Sequence, residues 1–251
     1  MKKIVTTLAT LVVLASTANA DIARLELGGG MWQEKPNGEM SYSDGLSTGL
    51  YTSNQESQTN AYAWMLIKHP IPIIPNLRLE YANVIDKGVV SGEFDGFSTP
   101  APANTPASFD VVAYDVIPYY NLIDNTFWMT IDVGLDIRIM ETKYEVSQKF
   151  TFPGYSETTS LVLPLAYGRG RVEIPATNIG LEADVKYITY SDSTVYDFRA
   201  KVDYTFDFIP VVQPAFELGY RVLKVDLVSD DEKTNINMDF SGIYAGLMLR
   251  F

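Results

Sequence analysis

The sequence predicts an all-β fold, a transmembrane antiparallel up-and-down β-barrel of about ten strands, with eight or twelve strands as alternatives. Three observations support this prediction. Apolar and polar residues alternate through most of the chain, long and short connections follow one another, and the last segment is an amphipathic strand ending on Phe251. Because successive side chains of a strand point to opposite faces, this period of two indicates strands rather than helices.

Residues 1–20 have the pattern of a secretory signal peptide. Lys2 and Lys3 precede an apolar run, and the small residues at 18–20 form a cleavage site. The apolar run is too short and too rich in threonine for a membrane anchor, and the cleavage site lacks the cysteine of a lipoprotein. We therefore expect a cleaved signal peptide over 1–20 and a single barrel domain over 21–251.

The composition restricts the partners of the chain. It contains no cysteine, so an exported domain must be stabilised by something other than disulfides, such as a large core or a bilayer. The formal net charge of −12 becomes −14 once Lys2 and Lys3 leave with the signal peptide. A chain this acidic is a poor partner for nucleic acid. The sixteen tyrosines suit membrane–water interfaces.

Three segments, 129–139, 179–187 and 196–206, show the alternation most clearly, with apolar residues at every odd or every even position. The segment 57–68 is ambiguous because both of its faces are apolar, so its orientation stays open. The alternating pattern predicts ten strands, over 22–33, 57–68, 77–87, 109–120, 127–140, 158–171, 178–190, 195–206, 214–225 and 237–251.

The connections between these strands alternate in length. Long polar loops follow the first, third and fifth strands, at 34–56, 88–108 and 141–157. Short turns follow the second, fourth, sixth and eighth, and three of these four contain proline. Long loops on one side and short turns on the other are typical of outer-membrane barrels, whose long loops lie outside the cell. The connection at 191–194 is an exception, being short where a long loop is usual.

A soluble barrel of the lipocalin kind also alternates, with its apolar face turned inward. The signal peptide, the loop asymmetry and the terminal phenylalanine favour the membrane alternative, in which the charged face lines a narrow lumen. We expect opposite charges to pair across this lumen, with a role in conduction as the alternative. The predicted lumen charges are Arg24, Glu26, Arg78, Glu80, Asp132, Asp136, Arg138, Glu182, Asp184, Lys186, Arg199, Lys201 and Asp203.

The C-terminal segment, "IYAGLMLRF", places Ile243, Ala245, Leu247 and Leu249 on one face before Phe251. It resembles the closing strand of bacterial outer-membrane barrels, whose terminal phenylalanine is read by the barrel-assembly machinery. The resemblance implies that Phe251, Leu249 and Leu247 act as an assembly signal and that the chain resides in the bacterial outer membrane. The expected partners are outer-membrane lipids and lipopolysaccharide, the barrel-assembly machinery and periplasmic chaperones, and no nucleic acid.

The whole mature chain is similar to an uncharacterised family of small outer-membrane β-barrel proteins of Gram-negative bacteria. Three stretches carry the resemblance: 26–32 ("ELGGGMW"), 74–81 ("IPNLRLEY") and 246–251 ("GLMLRF"). The resemblance implies a fold and a location, and it implies no activity, cofactor or catalytic residue.

Sequence motifs for catalysis are weak. His69, the single histidine, lies at the predicted periplasmic end of a strand, whereas outer-membrane hydrolases place a histidine at the extracellular rim, so we interpret it as a turn residue. The acidic run 230–232 is typical of a solvated loop, and no spacing predicts a metal or nucleotide site. We expect no cofactor and no catalytic residue.

Three function classes remain. The favoured class is a structural or surface-interaction barrel with a narrow, charge-filled lumen and extracellular loops. The alternative is a narrow channel or a conduit for small or apolar solutes. An outer-membrane enzyme is the least favoured class because of the position of His69, so the sequence predicts that the chain is not an enzyme.

Overall fold

The computed structural model describes residues 23–208, 211–229 and 233–251. The expected signal peptide, 1–20, and the acidic run 230–232 lie outside these residues. The strands are β1 (Arg24–Ser43), β2 (Thr48–Ser53), β3 (Gln58–Lys68), β4 (Asn76–Gly92), β5 (Ala101–Thr126), β6 (Met129–Val146), β7 (Tyr155–Glu173), β8 (Ile179–Tyr190), β9 (Ser193–Thr205), β10 (Gln213–Val228) and β11 (Thr234–Arg250). No helix in the described part of the chain is long and apolar enough to cross a membrane.

The strands form one antiparallel sheet that closes on itself. Consecutive strands from β4 to β11 pair as neighbours, and β11 pairs with β1 from Glu26↔Arg250 to Tyr42↔Thr234. Closure gives the backbone groups of the lower barrel partners within the sheet, as a membrane requires. At the upper end, Tyr155–Leu165 of β7 pair with β6 but with no second strand among the described residues. The predicted all-β, up-and-down barrel is therefore confirmed, and each of the ten predicted strands is present.

An eleventh strand, β2, corrects the predicted loop at 34–56. β1 continues to Ser43, and the chain returns as β2, which pairs with β1 and with β4. Nearer the periplasmic end, β3 occupies the same place between β1 and β4. The ring thus has ten strand positions around its circumference. β2 and β3 share one of these positions at different heights. Strands also extend into the predicted loops 88–108 and 141–157, where β4, β5 and β6 rise above the membrane.

A short break in backbone pairing separates β2 from β3. Pairing of β3 with β4 ends at Ala82, and pairing of β2 with β4 begins at Gly88. Glu34 of β1 fills the break, because its Oε1 accepts the backbone N–H of Ile85 at 3.3 Å and the Asn60 amide at 2.6 Å. We call this break, over 83–87 of β4, the seam.

The outer face of the lower barrel is apolar and its inner face is charged. Val133, Leu135, Ile137 and Ile139 of β6 point outward and are between 38% and 46% exposed. The intervening position Asp136 is wholly buried inside. This polarity is the inverse of a soluble barrel, so the lipocalin-like alternative is wrong and the outer face meets lipid.

The faces of β3 could not be assigned from the sequence, and the structure orients them. Tyr62, Trp64 and Leu66 point into the barrel and are buried, whereas Ala61 and Ala63 are exposed on the outer face. Gly28 of the neighbouring strand makes this orientation feasible. A Cβ on Gly28 would overlap the ring of Trp64.

Above the lipid-facing band the polarity reverses. The outward positions of β1 become polar, as at Lys35 and Glu39, and its inward positions become apolar, as at Met40 and Tyr42. This part of the barrel stands in water with an apolar core of its own. The reversal explains why the alternation at 34–56 does not resemble that of a lipid-facing strand.

Candidate functional site

Charged side chains fill the lower part of the barrel interior. Of the thirteen predicted lumen charges, twelve are buried. Arg24 is the exception and lies at the periplasmic mouth, where its Nε is 2.9 Å from Glu26. We call the buried, ion-paired set the lumen network; it comprises Glu26, Arg78, Glu80, Asp115, Asp132, Arg138, Arg169, Arg171, Glu182, Asp184, Lys186, Asp197, Arg199, Lys201, Asp203, Glu217, Arg221 and Arg250.

The middle of the lumen network centres on Arg138. Its guanidinium donates from Nε and Nη2 to the two carboxylate oxygens of Asp115, at 2.8 Å each, and from Nη2 to Asp197 at 2.6 Å. This fork geometry makes the pair with Asp115 strong and directional. Lys186, wholly buried, donates to Asp115 and Glu80. These contacts join β4, β5, β6, β8 and β9 in one cluster.

One contact spans the full width of the lumen. Arg199 of β9 donates to Glu80 of β4, and these two strands lie five positions apart in a ring of ten. Arg199 also donates to Asp184 at 2.8 Å on the adjacent β8. Side chains from opposite walls therefore bond to each other across the lumen at this level.

A second layer lies nearer the periplasm. Arg171 donates to both carboxylate oxygens of Asp203, at 2.7 and 3.0 Å, and Arg250 donates to the same carboxylate at 2.8 Å. Arg169 donates to Glu182 at 2.7 Å and also to Asp132. This layer extends the ion-paired section of the lumen toward the periplasm with residues of β6, β7, β8, β9 and β11.

Seven members of the lumen network are missing from the predicted set: Asp115, Arg169, Arg171, Asp197, Glu217, Arg221 and Arg250. Each lies on the same inward face as the predicted charges, so the alternation carries the necessary signal. Asp115 is hard to recognise because apolar residues surround it in the sequence. Arg169 and Arg171 alternate with glycines in place of the apolar residues that mark the outer face of other strands.

Asp136 departs from the expectation that every lumen charge is paired. It is wholly buried, its closest cationic nitrogen is Nη2 of Arg138 at 3.8 Å, and neither carboxylate oxygen has a hydrogen-bond partner among the described residues. The reason is competition, because Arg138 is already bonded to Asp115 and Asp197.

An aromatic layer of two buried tryptophans packs against cations of the lumen network. The Lys201 ammonium lies 4.4 Å from the centre of the Trp64 ring, and the Arg221 guanidinium lies 4.7 Å from that of Trp32. Cations over indole rings gain cation–π stabilisation in a site without water. Trp64 also donates from Nε1 to Glu217 at 3.1 Å. Trp64 pairs in register with Glu80 of β4, so its ring lies within the charged section.

Above the aromatic layer the barrel encloses an apolar cavity of about 280 Å³. Its wall includes Met40, Met140, Leu223, Met238 and Phe240, which are all buried. We call this space the upper cavity. It faces the extracellular end, opposite to the start of β1 at Arg24 and the end of β11 at Arg250.

Phe94 and Tyr155 line the upper cavity, and further aromatic side chains of two extracellular connections pack against them. The ring of Phe97 lies 4.9 Å from that of Tyr155 and 5.1 Å from that of Phe152, and Phe94 packs 5.6 Å from Phe97. Burial, together with the hydrogen bond that the hydroxyl donates to Glu157 at 2.7 Å, raises the pKa of Tyr155 to about 12. The hydroxyl therefore stays protonated at physiological pH.

The predicted assembly residues close the ring at its periplasmic end. Leu247 and Leu249 point outward, 70% and 39% exposed, and Phe251 exchanges backbone hydrogen bonds with Leu25 of the first strand. His69 lies in a turn, where Nδ1 accepts the Ile71 N–H at 3.2 Å, as predicted. The assembly role itself stays a prediction.

No protein-family model matches the sequence, and no curated protein is similar to it. Solved structures share the architecture. The outer-membrane protease OmpT from Escherichia coli is 11% identical, with 92% of this chain and 96% of that chain covered and a TM-score of 0.46. The translocator domain of the autotransporter NalP from Neisseria meningitidis is 11% identical over 100% of this chain and 96% of that chain, with a TM-score of 0.43.

A third similar structure is the toluene transporter TodX of P. putida, 8% identical over 94% of this chain and 91% of that chain, with a TM-score of 0.30. These likenesses concern the fold alone. They nevertheless correct one expectation, that the chain is not an enzyme, because one of the similar barrels is a protease.

The closed ring, the apolar outer band and the charged interior together fit only a bilayer surround. The expected location in the outer membrane agrees with this architecture. The chain is therefore an outer-membrane β-barrel protein.

Proposed function

We propose that the protein is a closed barrel that acts through its extracellular end, as a surface-interaction protein, and not as an open water-filled pore. The observation that carries the proposal is the contact of Arg199 with Glu80 across the lumen. With the bonds of Arg138 and Lys186 at the same level, it leaves no continuous aqueous path through the middle of the barrel.

The energetics support a lumen that stays closed. Separating one buried partner from a network of this kind leaves a charge without water or counter-ion, at a cost of about 3–5 kcal/mol. Opening a path would separate several pairs together, because Glu80 bonds to Arg78, Lys186 and Arg199. Such an opening would be a rare event in the resting protein.

The extracellular part of the barrel supports the interaction role. β5 and β6 continue beyond the lipid-facing band to Ala101 and Val146, and the upper section is polar outside and apolar inside. This upper section of the barrel is therefore a folded surface that extends into water above the membrane. Lipopolysaccharide would surround its base, and the barrel-assembly machinery and periplasmic chaperones would act on the chain before it folds.

A conduit for small apolar solutes is the second candidate, and the upper cavity favours it. A conduit would also need an exit. The lumen network blocks the way to the periplasm, so a solute would leave only after the network rearranged. This candidate therefore predicts that loosening the network increases transport.

Conductance of refolded protein in planar bilayers tests the proposal. The wild type should show no steady current, because its lumen is closed by ion pairs. Arg138→Ala should remove one cationic partner from both Asp115 and Asp197. We expect brief openings of the lumen in the current trace and a free energy of unfolding lower by about 3–5 kcal/mol. The matched control on the same strand is Lys143→Ala, which removes an exposed pair with Glu145.

The control should change neither the current nor, by more than about 1 kcal/mol, the free energy of unfolding. A large and stable current through the wild-type barrel would contradict the proposal and make the channel alternative the better one.

A further inference from the structure

We infer that the upper cavity is a binding site for a small, uncharged, mainly apolar molecule that carries one hydrogen-bonding group. The inference deepens the proposed function and rests on it in one respect. The lumen network must stay closed for the cavity to be blocked at its periplasmic end. Four features of the cavity carry the inference: its wall, its charge, its size and one unpaired hydroxyl.

The wall of the upper cavity is apolar and adaptable. Met40, Met140 and Met238 contribute three flexible thioether side chains, and Leu223, Val225 and Phe240 complete the wall. Methionine adjusts to the shape of a ligand more readily than branched residues do. A concave, apolar space of this kind is the usual form of a small-molecule site.

The charge around the upper cavity excludes anionic ligands. None of the residues lining it is a lysine, arginine or histidine, and the two charged residues that do line it are the acids Asp95 and Glu157. Both acids are exposed, at the extracellular side of the cavity. A carboxylate or phosphate would therefore lose its hydration without gaining a counter-ion, so the ligand is neutral.

The volume sets the size of the ligand. A cavity of about 150 Å³ lined by apolar side chains holds one benzene molecule. The upper cavity, at about 280 Å³, is nearly twice as large. It fits a molecule of two fused rings or an alicyclic compound of similar size, and it is too small for a lipid with two acyl chains.

One polar atom points to a ligand with a hydrogen-bonding group. Tyr144 lines the cavity and is 8% exposed, and its hydroxyl has no hydrogen-bond partner among the described residues. Its ring is held by three others, those of Tyr51, Phe94 and Tyr155, at 6.1 to 6.4 Å. A buried hydroxyl that lacks a partner is costly, and a carbonyl or hydroxyl of the ligand would satisfy it.

The experiment uses the full mature barrel in lipid nanodiscs, with empty nanodiscs to subtract partition into lipid. The probes are 2-naphthol, which is neutral and has one hydroxyl, naphthalene, and the anion 2-naphthoate. Calorimetry should show saturable binding of 2-naphthol with one site per barrel. Binding of 2-naphthoate should be weaker by about tenfold or more, because its charge finds no partner.

Two variants on β10 locate the site. Val225→Trp fills the cavity from its wall and should abolish saturable binding. Val222→Trp adds the same bulk on the outer face of the same strand and should leave binding unchanged. Tyr144→Phe keeps the shape of the wall, and should weaken 2-naphthol by about fivefold while leaving naphthalene unchanged. It also tests the site if Val225→Trp fails to fold.

Three results would overturn the inference: no saturable binding of 2-naphthol by the wild type, equal binding by Val225→Trp, or naphthoate binding as tight as that of naphthol. The conductance test remains independent. A barrel that binds 2-naphthol and also conducts steadily contradicts the closed lumen and keeps the site, whereas a silent barrel without binding overturns the site alone.

Discussion

At the scale of single residues, the stability of the lumen network depends on which buried carboxylates are paired with a cationic side chain. Asp115 and Asp136 are both buried, and both lie near Arg138. Asp115 accepts hydrogen bonds from Arg138 and Lys186, whereas the oxygens of Asp136 have no partner in the described part of the chain. Burial of a charge is tolerated only where its partners are in place, so the two residues contribute to stability with opposite sign.

Replacement of each carboxylate by the isosteric amide separates these contributions. Asp115→Asn should lower the free energy of unfolding by about 3–5 kcal/mol, because Arg138 and Lys186 lose a shared counter-charge. Asp136→Asn should leave it unchanged or raise it by up to about 1 kcal/mol, because an unpaired buried charge is removed. Urea unfolding in lipid vesicles, followed by tryptophan fluorescence, gives both values. Equal destabilisation by the two variants would show that Asp136 is paired.

At the scale of elements, β2 and β3 fill one position of the ring with two separate strands. The seam between them lacks a backbone ladder on one side of β4, and Glu34 replaces part of it. Local stability here depends on one side chain, since a single substitution removes the bonds to both β3 and β4.

Glu34→Ala should open the seam locally. The variant leaves the Ile85 N–H and the Asn60 amide without their acceptor, so amide hydrogen exchange over 83–87 should accelerate by about tenfold or more, a loss of about 1.4 kcal/mol of local stability. Glu39→Ala is the control, because Glu39 is an exposed residue of the same strand. Unchanged protection of 83–87 in Glu34→Ala would mean that other contacts hold the seam closed.

At the scale of the whole molecule, closure depends on the two ends of the chain. The first and last strands meet along their full length, and Phe251 donates its N–H to the Leu25 carbonyl at 2.9 Å. These are two bonds among many, so the terminal residue contributes little to the stability of the finished barrel. Its expected importance lies in assembly, when β11 is the segment presented for recognition.

Deletion of Phe251 should therefore impair assembly in cells and leave the stability of the folded barrel nearly unchanged. In cells, the amount of protein in the outer-membrane fraction should fall severalfold, while the same variant refolded in detergent should keep the heat-dependent gel mobility of a closed barrel. Phe251→Tyr, which keeps an aromatic end, is the matched control. Wild-type abundance of the deletion variant in the membrane would show that this residue is not the assembly signal.

The sequence by itself determined the ten membrane-crossing strands, the side on which the long connections lie and the face on which the charges lie, because alternation and turn residues are local properties of the chain. Only the tertiary structure decided that Arg199 meets Glu80 and that Asp136 lacks a partner. Such pairings depend on the stagger of strands around a closed ring. The upper cavity likewise arises only when inward side chains of seven distant strands converge, which no local pattern encodes.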